Sequence, residues 1–150
     1  MNDYAFNRQA SFEYEFLDKY EAGLILSGQE VKSVRAGRLS LQGAYVVIKD
    51  EEAWLLNANL PPYQPNNLRG EYNPLRSRKL LLHRHEIRSL IGQSKQAGLT
   101  LTPIRVYNSK GKIKLEFALA RGKKTRDKRQ AIGQREADRQ IQRAVRGKIE

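Results

Sequence analysis

The sequence predicts a mainly β protein with short helices (α+β): an OB-type small antiparallel barrel over residues 1–120, followed over 121–150 by a disordered cationic tail. Three observations predict it. Apolar residues recur with period two in several short runs, as in half-buried strands. One stretch around residue 90 has helical periodicity instead. Every aromatic residue lies before position 121, so the segment after it has little with which to build a core. A body of about 120 residues buries roughly two-thirds of its unfolded surface, enough to fold alone.

Taken in order, residues 1–10 read as a short polar arm. Over 11–26, Phe12, Tyr14 and Phe16 alternate with Ser11, Glu13 and Glu15, which suits a strand with one buried face. Gly23 interrupts that strand and implies a bulge or a close backbone approach. Val31 and Val34 stand three apart within Gly28–Arg35 and suit one or two helical turns, closed near Gly37. Residues 44–48 and 53–56 read as strands joined through Asp50, Glu51 and Glu52. Pro61, Pro62, Pro65 and Pro74 forbid regular structure across 61–78. A loop of that length is usually functional or disordered. Arg69, Arg76, Arg78 and Lys79 lie in or beside it. Leu80, Leu81 and Leu82 lead into a helix over 83–97, where Ile87, Leu90 and Ile91 share a face and Gly98 is the stop. Residues 99–107 and 112–120 close the body as two strands, joined by a hairpin loop over 108–111. Pro103 implies an edge or a bulge in the first of them. Five or six short strands with one good helix make an α+β or small-barrel plan; a five-stranded Greek-key barrel of the OB type, whose open face commonly binds nucleic acid, fits it, and periodicity alone does not separate that from other small barrels.

The net charge of +12 and pI near 10.1 point to a polyanionic partner. The charge is uneven: residues 121–150 hold 11 basic and 4 acidic side chains, more than half the net charge in one fifth of the chain. A solubilising tail is the bland explanation; a second contact with the same polyanion is the favoured one. In this tail Ala137, Ile141, Ala144 and Val145 fall on one helical face, with Arg135, Arg139, Arg143 and Arg146 on another. Such a segment can become a helix against a polyanion.

Catalytic chemistry finds no support. The chain has no Cys, hence no thiol nucleophile, no disulfide and no Cys-based zinc site, which fits a cytoplasmic protein. His83 and His85 lie beside Glu86 without further ligands at metal-binding spacing. Gly122-Lys123-Lys124-Thr125 lacks the earlier Gly of a phosphate loop, a position held by Phe117. The expectation is a binding protein: no enzyme, no cofactor, no metal, and no membrane span. Lys110, Lys112 and Lys114 alternate on one strand face, with Arg121, Lys123 and Lys124 just beyond. A solvated face would look the same, but phosphate contact is favoured. Phe12 and Tyr14 suit the core better than base stacking.

Six motifs in order carry a family resemblance: Asn7-Arg8-Gln9-Ala10, Tyr20-Glu21-Ala22-Gly23, Gly28 through Arg35, Arg78-Lys79-Leu80-Leu81-Leu82, Ala120-Arg121-Gly122-Lys123-Lys124 and Asp127-Lys128-Arg129. From about Asn7 to Arg146 the chain resembles the small protein B family, the SsrA-binding proteins of bacterial trans-translation. The resemblance implies an adaptor that binds the tRNA-like domain of transfer-messenger RNA. It also implies delivery of that RNA to stalled ribosomes, with the tail in the empty mRNA channel by the small-subunit decoding centre. The candidate RNA-binding residues are Asn7, Arg8, Glu21, Lys32, Arg35, Lys79, Leu81, His83, Lys112, Lys114, Arg121, Lys123 and Lys124, of which Glu21, Leu81 and Lys114 match family RNA-binding positions. Asp127, Lys128, Arg129, Arg135, Arg139 and Arg143 are the ribosome-directed set. Gln9 stands where the family usually carries Lys or Arg. A carboxylate repels phosphate, so Glu21 suits a base edge or a basic neighbour, and Leu81 could pack under a base or fill the core.

Overall fold

Seven strands and three short helices make up the described part of the computed structural model, which covers residues 3–64, 72–96 and 98–123. The order is β1 (Asp3–Phe6), α1 (Arg8–Glu13), β2 (Tyr14–Leu24), α2 (Gly28–Arg35), β3 (Tyr45–Lys49), β4 (Glu52–Leu56), β5 (Arg78–Leu81), α3 (Arg84–Gln93), β6 (Leu99–Ser109) and β7 (Lys112–Gly122). The strands form one antiparallel sheet in the order β1-β6-β3-β4-β5-β2-β7, and a further β6–β7 pairing closes it. Six strands thus make a ring, with β1 added alongside β6. Closure leaves only the four-residue β1 with a free edge, among the described strands, to invite pairing with other chains.

Alternation along each strand decides what lies inside. Leu55, Leu80, Leu101, Leu115 and Phe117 point inward and are buried, joined by Val34 from α2 and Leu90 from α3. Two tight turns set register. Asp50 and Glu51 both adopt positive φ (53° and 61°), as do Lys110 and Gly111 (52° and 78°), so each hairpin turns on two left-handed residues. The second turn pairs Ser109 with Lys112 and Tyr107 with Lys114.

The N-terminal segment differs from the expected polar arm and early strand. Asp3–Phe6 pairs with β6, and residues 8–13 are helical, so Ser11, Phe12 and Glu13 are not in a strand. The cause is Asn7, whose side-chain oxygen accepts from the Ala10 amide at 3.2 Å and starts a helix there. Its side-chain amide donates to the Pro103 carbonyl at 2.9 Å, and its backbone amide to Ile104, at 2.7 Å. α1 therefore packs against β6 and β2, and Ala118 and Ala120 of β7 are small and fully buried. Phe12 is buried, as expected, but from a helix. Pro103 sits at a bulge, and Gly23 at a close approach: a methyl group there would meet Leu81 Cβ at 3.3 Å. α3 is shorter than expected, and Ala97 lies outside the described residues.

One ionic cluster organises the other side. Ser27 and Glu30 form a capping box at the start of α2, each bonding the other's backbone amide. Glu30 is buried, as is Arg78, the first residue of β5 rather than the end of a loop. Arg78 Nε donates to Glu30 at 3.0 Å, its Nη1 to the Ala58 and Arg76 carbonyls, each at 3.0 Å, and its Nη2 to Pro74 at 3.2 Å. Arg76 also donates to Glu30. Leu60 N–H donates to Pro74 and the Tyr72 hydroxyl to Leu60, so both stems of the long connection are tied down. Burial opposes the Glu30 charge, but the Ser27 amide, Arg76 and Arg78 outweigh it and hold the carboxyl below its usual range.

Removing one member of a buried pair leaves an uncompensated charge, which costs about 3–5 kcal/mol. Arg78→Met should lower unfolding free energy by about that amount in urea titration. The Glu30 carboxyl titrates lower in the folded than in the unfolded chain. Its contribution is therefore complete above the unfolded carboxylate range and lost as pH falls through the folded value. The acid limb of the stability profile should be steeper in the wild type than in Glu30→Gln.

Candidate nucleic-acid interface

Strand register gathers the three residues that the resemblance singled out. Gly23 on β2 pairs with Leu81 on β5 at one side and with Lys114 on β7 at the other, and Lys114 pairs with Tyr107 on β6. Tyr107, Lys114, Gly23 and Leu81 thus form a single row across four strands on the outer face. At about 4.8 Å per strand the row spans roughly 14 Å. Glu21 stands two residues along β2 on the same face, opposite Glu116. Leu81 is 56% exposed, unusual for a leucine beside a packed barrel. Gly23 has no side chain, so Leu81 lies against β2 instead of standing off it. The question of whether Leu81 fills the core is answered by its exposure: it does not.

The charges around this row are partly spoken for. Arg105 donates to Asp3 at 2.9 Å and to Glu116 at 3.2 Å. Its guanidinium lies 4.0 Å from the centre of the Tyr107 ring. The Tyr107 hydroxyl donates to Glu21. Burial first, and then that hydrogen bond, push the Tyr107 phenol far above its usual range, so it stays a donor. Lys79 pairs with Glu52. Lys114 and Lys112 share the outer side of β7 and have no ion-pair partner among the described residues. At the hairpin tip the Arg35 guanidinium donates to the Gly111 carbonyl at 3.2 Å, bringing the end of α2 to the turn between Lys110 and Lys112. The basic patch therefore continues from the row to the tip.

Other candidates lie elsewhere. Asn7 is buried with its side chain committed to Ala10 and Pro103, which makes it a structural cap. Arg8 starts α1, and Lys123 fastens β7 to α1 through the Ser11 and Glu13 carbonyls. Arg121 pairs with Glu15 across β2 and β7 at 3.1 Å. It is seven residues from Lys114, about 23 Å along the strand, and of opposite parity. His83 is exposed at the start of α3, its ring stacked on His85, two residues beyond Leu81. Lys124, Asp127, Lys128, Arg129, Arg135, Arg139 and Arg143 lie outside the described residues. Sequence reasoning missed Tyr107 and Arg105. A two-residue turn at Lys110-Gly111 would have placed Tyr107 opposite Lys114.

Comparison with known proteins places the chain among relatives of known family. A family profile described as SmpB protein matches residues 4–147. The chain is 49% identical over 140 residues to the SsrA-binding protein of Thermosynechococcus vestitus, covering 93% of this chain and 92% of that one. It is 47% identical over 145 residues to the SsrA-binding protein of a Sulfurihydrogenibium species, covering 97% and 95%. A solved structure described as "tmRNA-SmpB: a journey to the center of the bacterial ribosome" contains a chain that superimposes with a TM-score of 0.67 at 44% identity, covering 85% of this chain and 92% of that one.

Lys114→Ala should weaken binding of a folded RNA and reduce the slope of log K against log salt by roughly 0.7–0.9, one phosphate contact. Asn7→Ala should leave that slope unchanged and lower stability by about 1 kcal/mol, the loss of a helix cap.

Proposed function

The chain belongs to the SmpB family, and on that premise we propose that it is an RNA-binding adaptor of trans-translation: it binds the tRNA-like domain of transfer-messenger RNA and delivers it to stalled ribosomes. The observation that carries the reading is the cross-strand row of Tyr107, Lys114, Gly23 and Leu81, with Glu21 beside it. It offers an aromatic ring, an ammonium with no ion-pair partner among the described residues and an exposed aliphatic side chain along one row of roughly 14 Å. Folded RNA is recognised by shape, phosphate contacts and stacking on exposed bases, and these are the groups that serve such contacts. Nothing in that role asks the chain to make or break a covalent bond, so it acts as an adaptor without catalysis or cofactor. The site of action is the cytoplasm, with the ribosome. Among the described residues no helix is long and apolar enough to cross a membrane.

The body and the cationic segment divide the work. The barrel holds the RNA, with Arg35, Lys32, Lys112 and His83 extending the contact surface around the row. β7 runs through Gly122 and Lys123 is tied to α1, so the second unit is the cationic segment beyond Lys123, helical when bound and occupying the empty mRNA channel. Asp127, Lys128 and Arg129 act there, followed by Arg135, Arg139 and Arg143. The support is compositional: no aromatic residue and a net charge of +7 after position 120. Ordering such a segment costs roughly 1–2 kcal/mol per residue of backbone entropy. A channel walled by RNA offsets that cost through many phosphate contacts.

Changing Asp127, Lys128 and Arg129 together to Ala, or truncating after Lys124, should leave affinity for the tRNA-like RNA near normal and abolish peptide tagging on stalled ribosomes. A loss of RNA affinity beyond about tenfold, ~1.4 kcal/mol, would contradict the division, as would normal tagging by the truncated protein.

A further inference from the structure

We infer that Tyr107 is an RNA-contacting residue of this face and that Glu21 is a positioning residue acting through it. The inference rests on the RNA-binding reading of the barrel and names a contact that the three family positions do not include.

The motive is a mismatch of charge. Glu21 is an exposed carboxylate beside Lys114 on a surface meant for a polyanion, and direct contact with phosphate would be repulsive. Its carboxylate instead accepts the Tyr107 hydroxyl. Tyr107 is the end of the row, in register with Lys114, and it is not an isolated ring. Arg105 lies over it at 4.0 Å from the ring centre, and Arg105 is itself fixed by Asp3 and Glu116. Two carboxylates neutralise that guanidinium, so it serves as a supporting plane rather than a phosphate contact. The ring is therefore held at three points: by its backbone in β6, by Arg105 at its face and by Glu21 at its hydroxyl. A ring fixed in that way loses little rotamer freedom when a base or ribose packs against it, which favours binding. Lys114, one strand away, is placed to meet the phosphate of the same nucleotide.

Glu21 therefore sets the angle of the ring. Its charge need not touch the RNA, and what matters is an acceptor oxygen at that place. Gln supplies one, and Ala does not.

The test is a double-mutant cycle on the full chain with a transcript of the tRNA-like RNA as probe, with thermal melting of each variant alongside. Lys114→Ala and Leu81→Ala serve as controls for the face itself. Tyr107→Ala should weaken binding about tenfold, within the range for losing one stacked aromatic, with no change in salt slope because no charge is lost. Tyr107→Phe should weaken it about threefold, the loss of one modest hydrogen bond. Glu21→Ala should do the same in the wild type and nothing further in the Tyr107→Phe background. Glu21→Gln should bind within about twofold of wild type, since an acceptor remains. Additive losses for Glu21→Ala and Tyr107→Phe would overturn the inference, as would a loss for Glu21→Gln equal to that of Glu21→Ala. If the controls lose affinity and the Tyr107 variants do not, the inference fails while the RNA-binding face stands. If the controls bind normally, the face is wrong and the inference falls with it.

Discussion

The buried pair of Glu30 and Arg78 is the interaction on which the rest of the molecule depends. β5 has four residues and meets its neighbours through few pairs: three with β4 and two with β2. So short a strand has little of its own to hold it in a ring. Arg78 supplies the missing hold, because its guanidinium reaches α2 through Glu30 and the connection before β5 through the Ala58, Pro74 and Arg76 carbonyls. Each donor that burial removes from water is satisfied, the condition under which a buried charge is tolerated. With Arg78 fixed, alternation dictates the rest of β5: Leu80 inward to the core, Lys79 and Leu81 outward. Leu81 then falls opposite Gly23. The proposed RNA face is thus a consequence of where one buried arginine is anchored.

The electrostatics follow the same logic. A net charge of +12 would attract RNA to any part of the surface, which gives affinity without placement. Internal pairing narrows it. Arg76 and Arg78 serve Glu30, Arg105 serves Asp3 and Glu116, and Arg121 serves Glu15. Lys112 and Lys114 remain on the barrel face, beside the groups that give shape: Tyr107, Leu81 and the gap at Gly23. Positive charge and a contoured apolar surface coincide there and not at the Arg121 end of β7.

Much of this was legible in the sequence. The strands over 44–56 and 99–120 are marked by their apolar runs, whereas β5 is not; both hairpins fall where the sequence expects them, the second with a tighter turn because Asn108 and Ser109 belong to β6. Glu21, Leu81 and Lys114 were named from resemblance, though only register could show that they meet. Three features were not legible. Asn7 makes a helix out of residues whose period-two pattern reads as strand, because its two long-range bonds to β6 are invisible locally. Arg78 looked like part of a proline-rich loop, since nothing in a linear sequence says that a charged residue will be fully buried. Its partner left a trace in the Ser27-x-x-Glu30 spacing of a capping box. Tyr107 carries no mark of its own, because an aromatic in a strand is ordinarily core.

The central claim is that the buried ionic anchor builds the RNA face before any RNA arrives. Amide hydrogen exchange of the free protein over residues 23–25 and 79–81 tests it most directly, with the Ile25 amide, bonded to the Lys79 carbonyl at 3.0 Å, as the key reporter. The account predicts protection there as high as in β6 and β7, with no further gain on adding the tRNA-like RNA. Rapid exchange in the free protein that slows only when RNA binds would show that the RNA builds the face, and would contradict it.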